Sequence, residues 1–177
     1  MIFEVRDAKI QDCGKMARIL RIEHHTEIAK TGFDAHRELR SIFANSFYRK
    51  ALLIDEKLIA MGGVTGGALA TVGYVWLAVS NDARKHPLSV IRHARAELDR
   101  MMVMKRSLAA MVLADDDAAK RAAVFLGFYP AEGTPFGIHT RNARATQQRI
   151  LENDVDLRLP CGNTYHIGLI YHPERVN

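Results

Sequence analysis

The chain is short of cysteine, short of aromatic residues and without any long apolar run, and each shortage removes a class of function. Its 177 residues hold two cysteines, Cys13 and Cys161, far apart and outside any CxxC pair. That spacing argues against a zinc ribbon or a dithiol redox motif, and two reduced thiols in a cytosolic protein are expected. No apolar run approaches the roughly 20 residues of a membrane-spanning helix, and no stretch reads as a signal peptide. His24, His25 and His36 match no zinc-ligand spacing, so no metal site is expected. Aromatic residues make up 7% of the chain and do not interleave with its basic residues, as the stacking platform of a single-strand binder would require. Repeats, low-complexity tracts and linkers are lacking, which predicts one domain over 1–177. Its core is expected at about 3–130, with 131–177 adding C-terminal strands around a polar insertion.

What is present suits a packed globule. Hydrophobic residues account for 48%, and a chain of this length buries about two-thirds of its unfolded surface. The formal charge is +5, a mild excess. Basic residues gather at Arg84, Lys85, Arg92, Arg95, Arg100, Lys105 and Arg106, and again at Arg141, Arg144 and Arg149. Glu97 and Asp99 interrupt the first group, so a solvated helix face is expected there, with nucleic-acid binding as a minor option.

The order of elements follows from periodicity. Phe3 to Asp7 alternates as a half-buried strand. Ile10, Cys13, Ala17 and Leu20 recur at helical steps until Gly32 breaks the pattern, and Asp34 can cap a second helix running to Phe43 or Ser46. Ala51 to Ile54, Leu58 to Met61 running into Gly62 to Gly67, and Thr71 to Val79 read as a three-stranded antiparallel meander, its first turn at Asp55-Glu56. Leu88, Ile91, Ala94, Leu98 and Met101 keep a helical period, with Pro87 in the first turn. Leu108 to Leu113 is a strand, Asp115-Asp116-Asp117 opens a helix, Gly127 closes it and Phe128 begins another strand. Beyond it, 134–137 is turn-like, Asn142 to Asn153 suits a polar helix, and Thr164 to Tyr171 a final strand.

This order, with Ala119-x-x-x-Ala123-x-x-Leu126-Gly127-Phe128 as its sharpest local match and Arg6 and Asp12 in the opening strand and helix, resembles the GNAT (Gcn5-related N-acetyltransferase) acyltransferases. The resemblance covers about residues 3 to 130. It implies an α/β (α+β) fold: a central mixed, mostly antiparallel sheet flanked by about four helices. It also implies that the strand through Trp76 and Val79 splays from its neighbour to admit the pantetheine of acetyl-CoA. The loop that follows would hold the diphosphate, on small residues that let backbone N–H groups approach it.

The chain departs from the family where chemistry would occur. Lys85, Pro87 and Ser89 stand at the three glycine positions of that loop, and Pro87 has no N–H to donate. Should acetyl-CoA bind, the resemblance points to Val79, Arg84, Lys85 and Ser89. The family's tyrosine acid falls on Ala123 and its asparagine on Asp116. No Asp or Glu occurs between Leu58 and Ser80, which leaves Glu23, His24, His25, Asp115 and Asp116 as acid–base candidates. Glu23, Asp115 and Asp116 lead, whereas the His24-His25 pair reads as solvated or capping. In its basic, glycine-poor loop, the run Val75 to Val79 and Ala123 to Phe128, the chain also resembles small GNAT-like virion and internal proteins of short-tailed phages. That implies a non-catalytic structural or binding component, cytoplasmic in the producing cell and carried in a phage particle. Its partners would be proteins of the virion or further copies of itself, and it would need no cofactor. The alternative is an active acetyl-CoA-dependent N-acetyltransferase of unknown amine.

Overall fold

The structure is a computed structural model that describes residues 1–30, 34–67, 69–113, 116–130, 139–142 and 166–171. Among them the chain runs β1 (Phe3–Asp7), α1 (Ile10–Ile19), α2 (Ile22–Lys30), α3 (Ala35–Ala44), β2 (Ser46–Ile54), β3 (Lys57–Thr65) and β4 (Val72–Val79). A short 3₁₀ turn (Asn81–Lys85) leads into α4 (Pro87–Met104), followed by β5 (Ser107–Leu113), α5 (Asp117–Phe125), β6 (Phe128–Pro130), β7 (His139–Asn142) and β8 (His166–Tyr171).

Sequence chemistry explains most of these boundaries. The Asp34 carboxylate accepts the Arg37 N–H at 2.9 Å and caps α3. Asp55 and Glu56, with φ of 47° and 66°, make the tight turn between β2 and β3. Pro87 occupies the first turn of α4, where a missing N–H costs nothing. The Asp116 carboxylate accepts the Ala119 N–H at 2.9 Å at the head of α5, and Gly127, at φ 86°, ends it.

The sheet order is β1-β2-β3-β4-β5-β8-β6, with β7 also against β5. The meander β2-β3-β4 is antiparallel as expected, and β4 pairs with β5 in parallel. Two faces carry the core. On one, Cys13, Met16 and Ala17 of α1, Leu20 just past it, and Leu39 and Phe43 of α3 pack on Ala51, Leu53, Met61 and Ala78. On the other, Leu98 and Met101 of α4, Ala123 of α5 and its C-cap Leu126 pack on Val64, Leu108 and Phe128. Gly62 and Gly63 let the strands close up beneath Trp76: a Cβ on Gly62 would lie 2.8 Å from the Trp76 carbonyl oxygen, and one on Gly63 3.1 Å from the indole nitrogen. The opening pair of the sequence is a bidentate ion pair, Arg6 Nη1 and Nη2 reaching Asp12 at 2.7 and 2.9 Å.

Three expectations are corrected. The helix from Ile10 does not run unbroken to Gly32: it stops at Leu20, whose backbone turns extended (φ −55°, ψ 142°) to bridge Ser80. Five α-helices flank the sheet among the described residues, in keeping with the expected fold. The strand expected from Ala51 begins at Ser46, because the polar residues Tyr48, Arg49 and Lys50 sit on a partly solvated stretch of β2. Lys105 is not on a solvated face. It is buried, its ammonium donating to the carbonyls of Gly67 (2.6 Å) and Ala70 (2.8 Å) and lying over the Phe47 ring. Asn142 belongs to β7; the expected turn at 134–137, the rest of the expected polar helix, Cys161, Arg144 and Arg149 lie outside the described residues.

Candidate functional site

The splay implied by the resemblance is present. Parallel pairing of β4 with β5 runs from Val72–Ser107 to Val75–Ala110 and ends there. On its other edge, β5 pairs antiparallel with β8 from Ala109 to Leu113. Trp76 to Val79 have no ladder partner in β5, which leaves their edge of β4 facing a slot between the two strands. Ser80 turns its N–H to Ile59 of β3 at 2.8 Å, so the alternation of the strand aims the Val79 carbonyl at the slot.

That edge is already in use. The Val79 carbonyl accepts the Arg21 N–H at 2.9 Å, and Leu20 and Ser80 form an antiparallel bridge. The break between α1 and α2 thus lays a short extended segment along β4 where it leaves β5.

The loop beyond β4 is closed in the same way. Residues 81–85 coil into the 3₁₀ turn, in which the Ala83 N–H bonds to Ser80 (3.1 Å) and the His86 N–H to Ala83 (3.0 Å). Position 87 is proline, and Val90 donates to His86 at 3.1 Å as the first turn of α4 closes. Of the donors a diphosphate would need, the His86 N–H is spent on the chain itself and position 87 has none to offer.

An alternating chain of charges spans the mouth of the slot. Arg84 pairs with Glu23, Glu23 lies 3.2 Å from Arg21, and Arg21 pairs with Asp116 at the head of α5. The Arg21 and Asp116 side chains are only 10% and 8% exposed, so this is a buried pair joining the β4 side of the slot to the β5 side. The backbone N–H of Glu23, with Arg21 and Arg84, holds its carboxyl below the usual range against the opposing effect of burial. Burial, then the charge of Arg21, push the adjacent His24 imidazole down to about 4, which makes it neutral at pH 7. The expectation that His24 is solvated is therefore corrected, whereas His25 is exposed. Among the described residues, Arg21 Nε, Glu23 Oε2 and Ser80 Oγ are buried without a hydrogen-bond partner. The first two form an ion pair without the alignment of a hydrogen bond.

Every expected site residue within the described part has an internal contact. Glu23 and Asp116 meet on Arg21. Val79 accepts from Arg21, Arg84 is paired with Glu23, Lys85 holds Asp82 at 2.5 Å, and the Ser89 carbonyl is 2.7 Å from His93 Nδ1. Asp115 lies outside the described residues. The position of the expected acid is a methyl group, Ala123, buried among Leu98, Met101 and Leu126. Tyr48 is no substitute acid, since burial and the hydrogen bond to Glu97 push its hydroxyl up to about 12. So arranged, these residues do not fit the diphosphate and pantetheine of acetyl-CoA. Arg21, the residue that ties the site together, was missed. Its signal is a lone charge in the apolar run Ile19-Leu20-Arg21-Ile22. A separate open groove between α1, α2 and α3 is lined by Gly14, Ala17, Arg18, Ile28 and His36 and, of the acid–base candidates, by His25.

No family model and no curated protein matches the chain. Solved structures do. A spermidine N-acetyltransferase chimera from Vibrio cholerae and hSSAT superposes with a TM-score of 0.59 at 11% identity, over 85% of this chain and 99% of that one. The PaiA N-acetyltransferase of Thermoplasma acidophilum, determined in complex with coenzyme A, gives 0.58 at 12% identity over 80% and 99%. A ribosomal-protein-alanine N-acetyltransferase from Escherichia coli gives 0.56 at 16% identity over 78% and 92%. At such identities the likeness is one of fold: the mixed α/β sheet and flanking helices are those of the GNAT acetyltransferases.

Proposed function

We propose that this protein uses the acetyltransferase fold as a single non-catalytic domain, a binding or structural component that transfers no acetyl group. The observation that carries this reading is the closed loop between β4 and α4, where the His86 N–H is spent on Ala83 and residue 87 is proline. Ala123 in place of an acid and the absence of Asp or Glu between Leu58 and Ser80 support it. Fold alone assigns no activity. Partners under this reading are proteins, and Leu88, Val124 and Phe125, which are 72%, 58% and 62% exposed, offer apolar contact. A place in a tailed-phage particle rests on the sequence resemblance alone, and nucleic acid is a lesser candidate resting on the charge of +5.

The second reading, an acetyl-CoA-dependent N-acetyltransferase, is favoured by one feature, the splay of β4 from β5 beyond Val75. An assay of thiol release from acetyl-CoA separates the two, with spermidine and alanine-ended peptides as acceptors, the amines named for proteins of similar fold. Release at the rate of the protein-free blank is expected. Turnover that saturates with any of these amines would establish the enzyme reading.

A further inference from the structure

The sheet begins on an open edge. β1 is the first strand in its order, and among the described residues only β2 pairs with it. The register with β2 is unbroken. At its two ends the Asp55 N–H donates to the Ile2 carbonyl at 2.9 Å and the Ala8 N–H to the Arg49 carbonyl at 3.3 Å. An antiparallel ladder alternates, so Glu4 and Arg6 bond inward to β2, while Phe3, Val5 and Asp7 turn their N–H and C=O groups outward. Such a row is a template for another strand, and proteins commonly blunt it with proline, lysine or a bulge. Phe3-Glu4-Val5-Arg6-Asp7 has none of these, and Ile2 and Phe3 are 74% and 36% exposed. The strand is also held from both faces. Phe3 stacks on His93 of α4 at 5.5 Å, and on the opposite face Arg6 is fixed by Asp12. Little ordering is left to be done on pairing.

We propose that β1 is a homodimer interface: two copies join antiparallel about a two-fold axis at Val5, and the sheet continues from one chain into the other. Charge selects both this occupant and its register. Outward groups must meet outward groups, so odd-numbered residues of one copy face odd-numbered residues of the other, and the pairing slips only in steps of two. With the axis at Val5, Glu4 lies opposite the partner's Arg6 and Arg6 opposite the partner's Glu4. A slip either way sets Glu4 against Glu4 or Arg6 against Arg6, and like charges directly opposite are destabilising. Both side chains are suited to the contact. Glu4 is exposed, and Arg6 spends three of its five N–H donors, on Asp7 and Asp12, which leaves two for a second carboxylate. The inference rests on the reading of a non-catalytic contact domain for its use, and it deepens that reading by making the partner a second copy of the chain.

The test is sedimentation equilibrium on wild type, Glu4→Arg, Val5→Pro and Asp117→Lys. Glu4→Arg sets like charges across the axis, and Val5→Pro removes the central N–H of the open edge. Asp117→Lys reverses an exposed charge on α5 and so controls for net charge. Expected for wild type is a mass that rises with concentration to twice the 19.9 kDa of the chain. The dissociation constant should be at least tenfold higher for Glu4→Arg and for Val5→Pro, and unchanged for Asp117→Lys. A wild-type mass that stays at 19.9 kDa up to about 1 mM overturns the proposal. So does a dimer as tight in Glu4→Arg as in wild type, or one weakened equally by Asp117→Lys. Should the variants not fold, hydrogen exchange on wild type decides. Dilution must speed exchange of the Phe3, Val5 and Asp7 amides and leave that of Arg6, which faces β2, at its rate. Amides slow at every dilution would mean an edge covered by the chain itself, and amides fast at every concentration an edge that pairs with nothing; either overturns the proposal. Acetyl transfer by wild type would refute the non-catalytic reading and leave the dimer standing, so the two failures are distinct.

Discussion

A histidine kept neutral beside an arginine leaves a signature in the dependence of stability on pH. His24 is pushed by burial and by Arg21 from the ordinary 6.5 to about 4, against the opposing charges of Asp116 and Glu23. The unfolded chain therefore takes up this proton near 6.5 and the folded chain only near 4. Between those values the unfolded state holds more protons, so stability falls as pH falls. From pH 6.5 to pH 5 the loss attributable to His24 is about 2 kcal/mol. Urea denaturation at pH 7 and pH 5 should show a drop in wild type that is smaller by about that amount in His24→Gln. Equal drops in both proteins would mean that His24 is solvated, and would remove the evidence for a closed slot at this residue.

At the scale of elements, the junction of β4 and α4 makes the sharpest prediction. Replacing Pro87 with glycine restores an N–H, which would improve phosphate binding if the proline were the sole obstacle. Glu23 remains on Arg84 and the His86 N–H remains on Ala83. Pro87→Gly alone is therefore expected to leave pyrophosphate affinity at the wild-type level and to cost about 1 kcal/mol of stability through the freer unfolded chain. A tenfold gain in affinity from this single change would show that the ion pairs do not govern access.

The same elements show what a single sequence discloses. Asp34, Asp55-Glu56, Pro87 and Asp116 were legible because a cap or a tight turn is local chemistry, settled within a few residues. The hydrophobic periods of α1, α4 and β5 were legible for the same reason. The break at Leu20 was not. Ile19-Leu20-Arg21-Ile22 has helical character, and only a bridge to Ser80, distant in sequence, overrides it. Half of the site was hidden with it: Glu23 and Asp116 stood out as carboxylates, but their convergence on Arg21 depends on that break. Lys105 misled because a lysine in a basic run reads as solvated, whereas here it is held by the carbonyls of a turn whose residues precede it by 35 and 38 positions.

At the scale of the molecule, a sheet that parts between β4 and β5 has to fill the gap with a ligand or with its own chain. Here the chain fills it, with a backbone bridge at Ser80 and a run of alternating charges from Arg84 to Asp116. Under the proposed reading, the fold then serves contact rather than turnover. The most direct measurement is a calorimetric titration of wild-type protein with acetyl-CoA to about 100 μM, with a melting curve at each end point. A ligand present at 100 times its dissociation constant would add about 2.7 kcal/mol of stability. The expected result is no saturable heat and an unchanged melting temperature. One-to-one binding in the micromolar range, with a raised melting temperature and Glu23→Gln binding no tighter, would contradict a slot closed by its own chain.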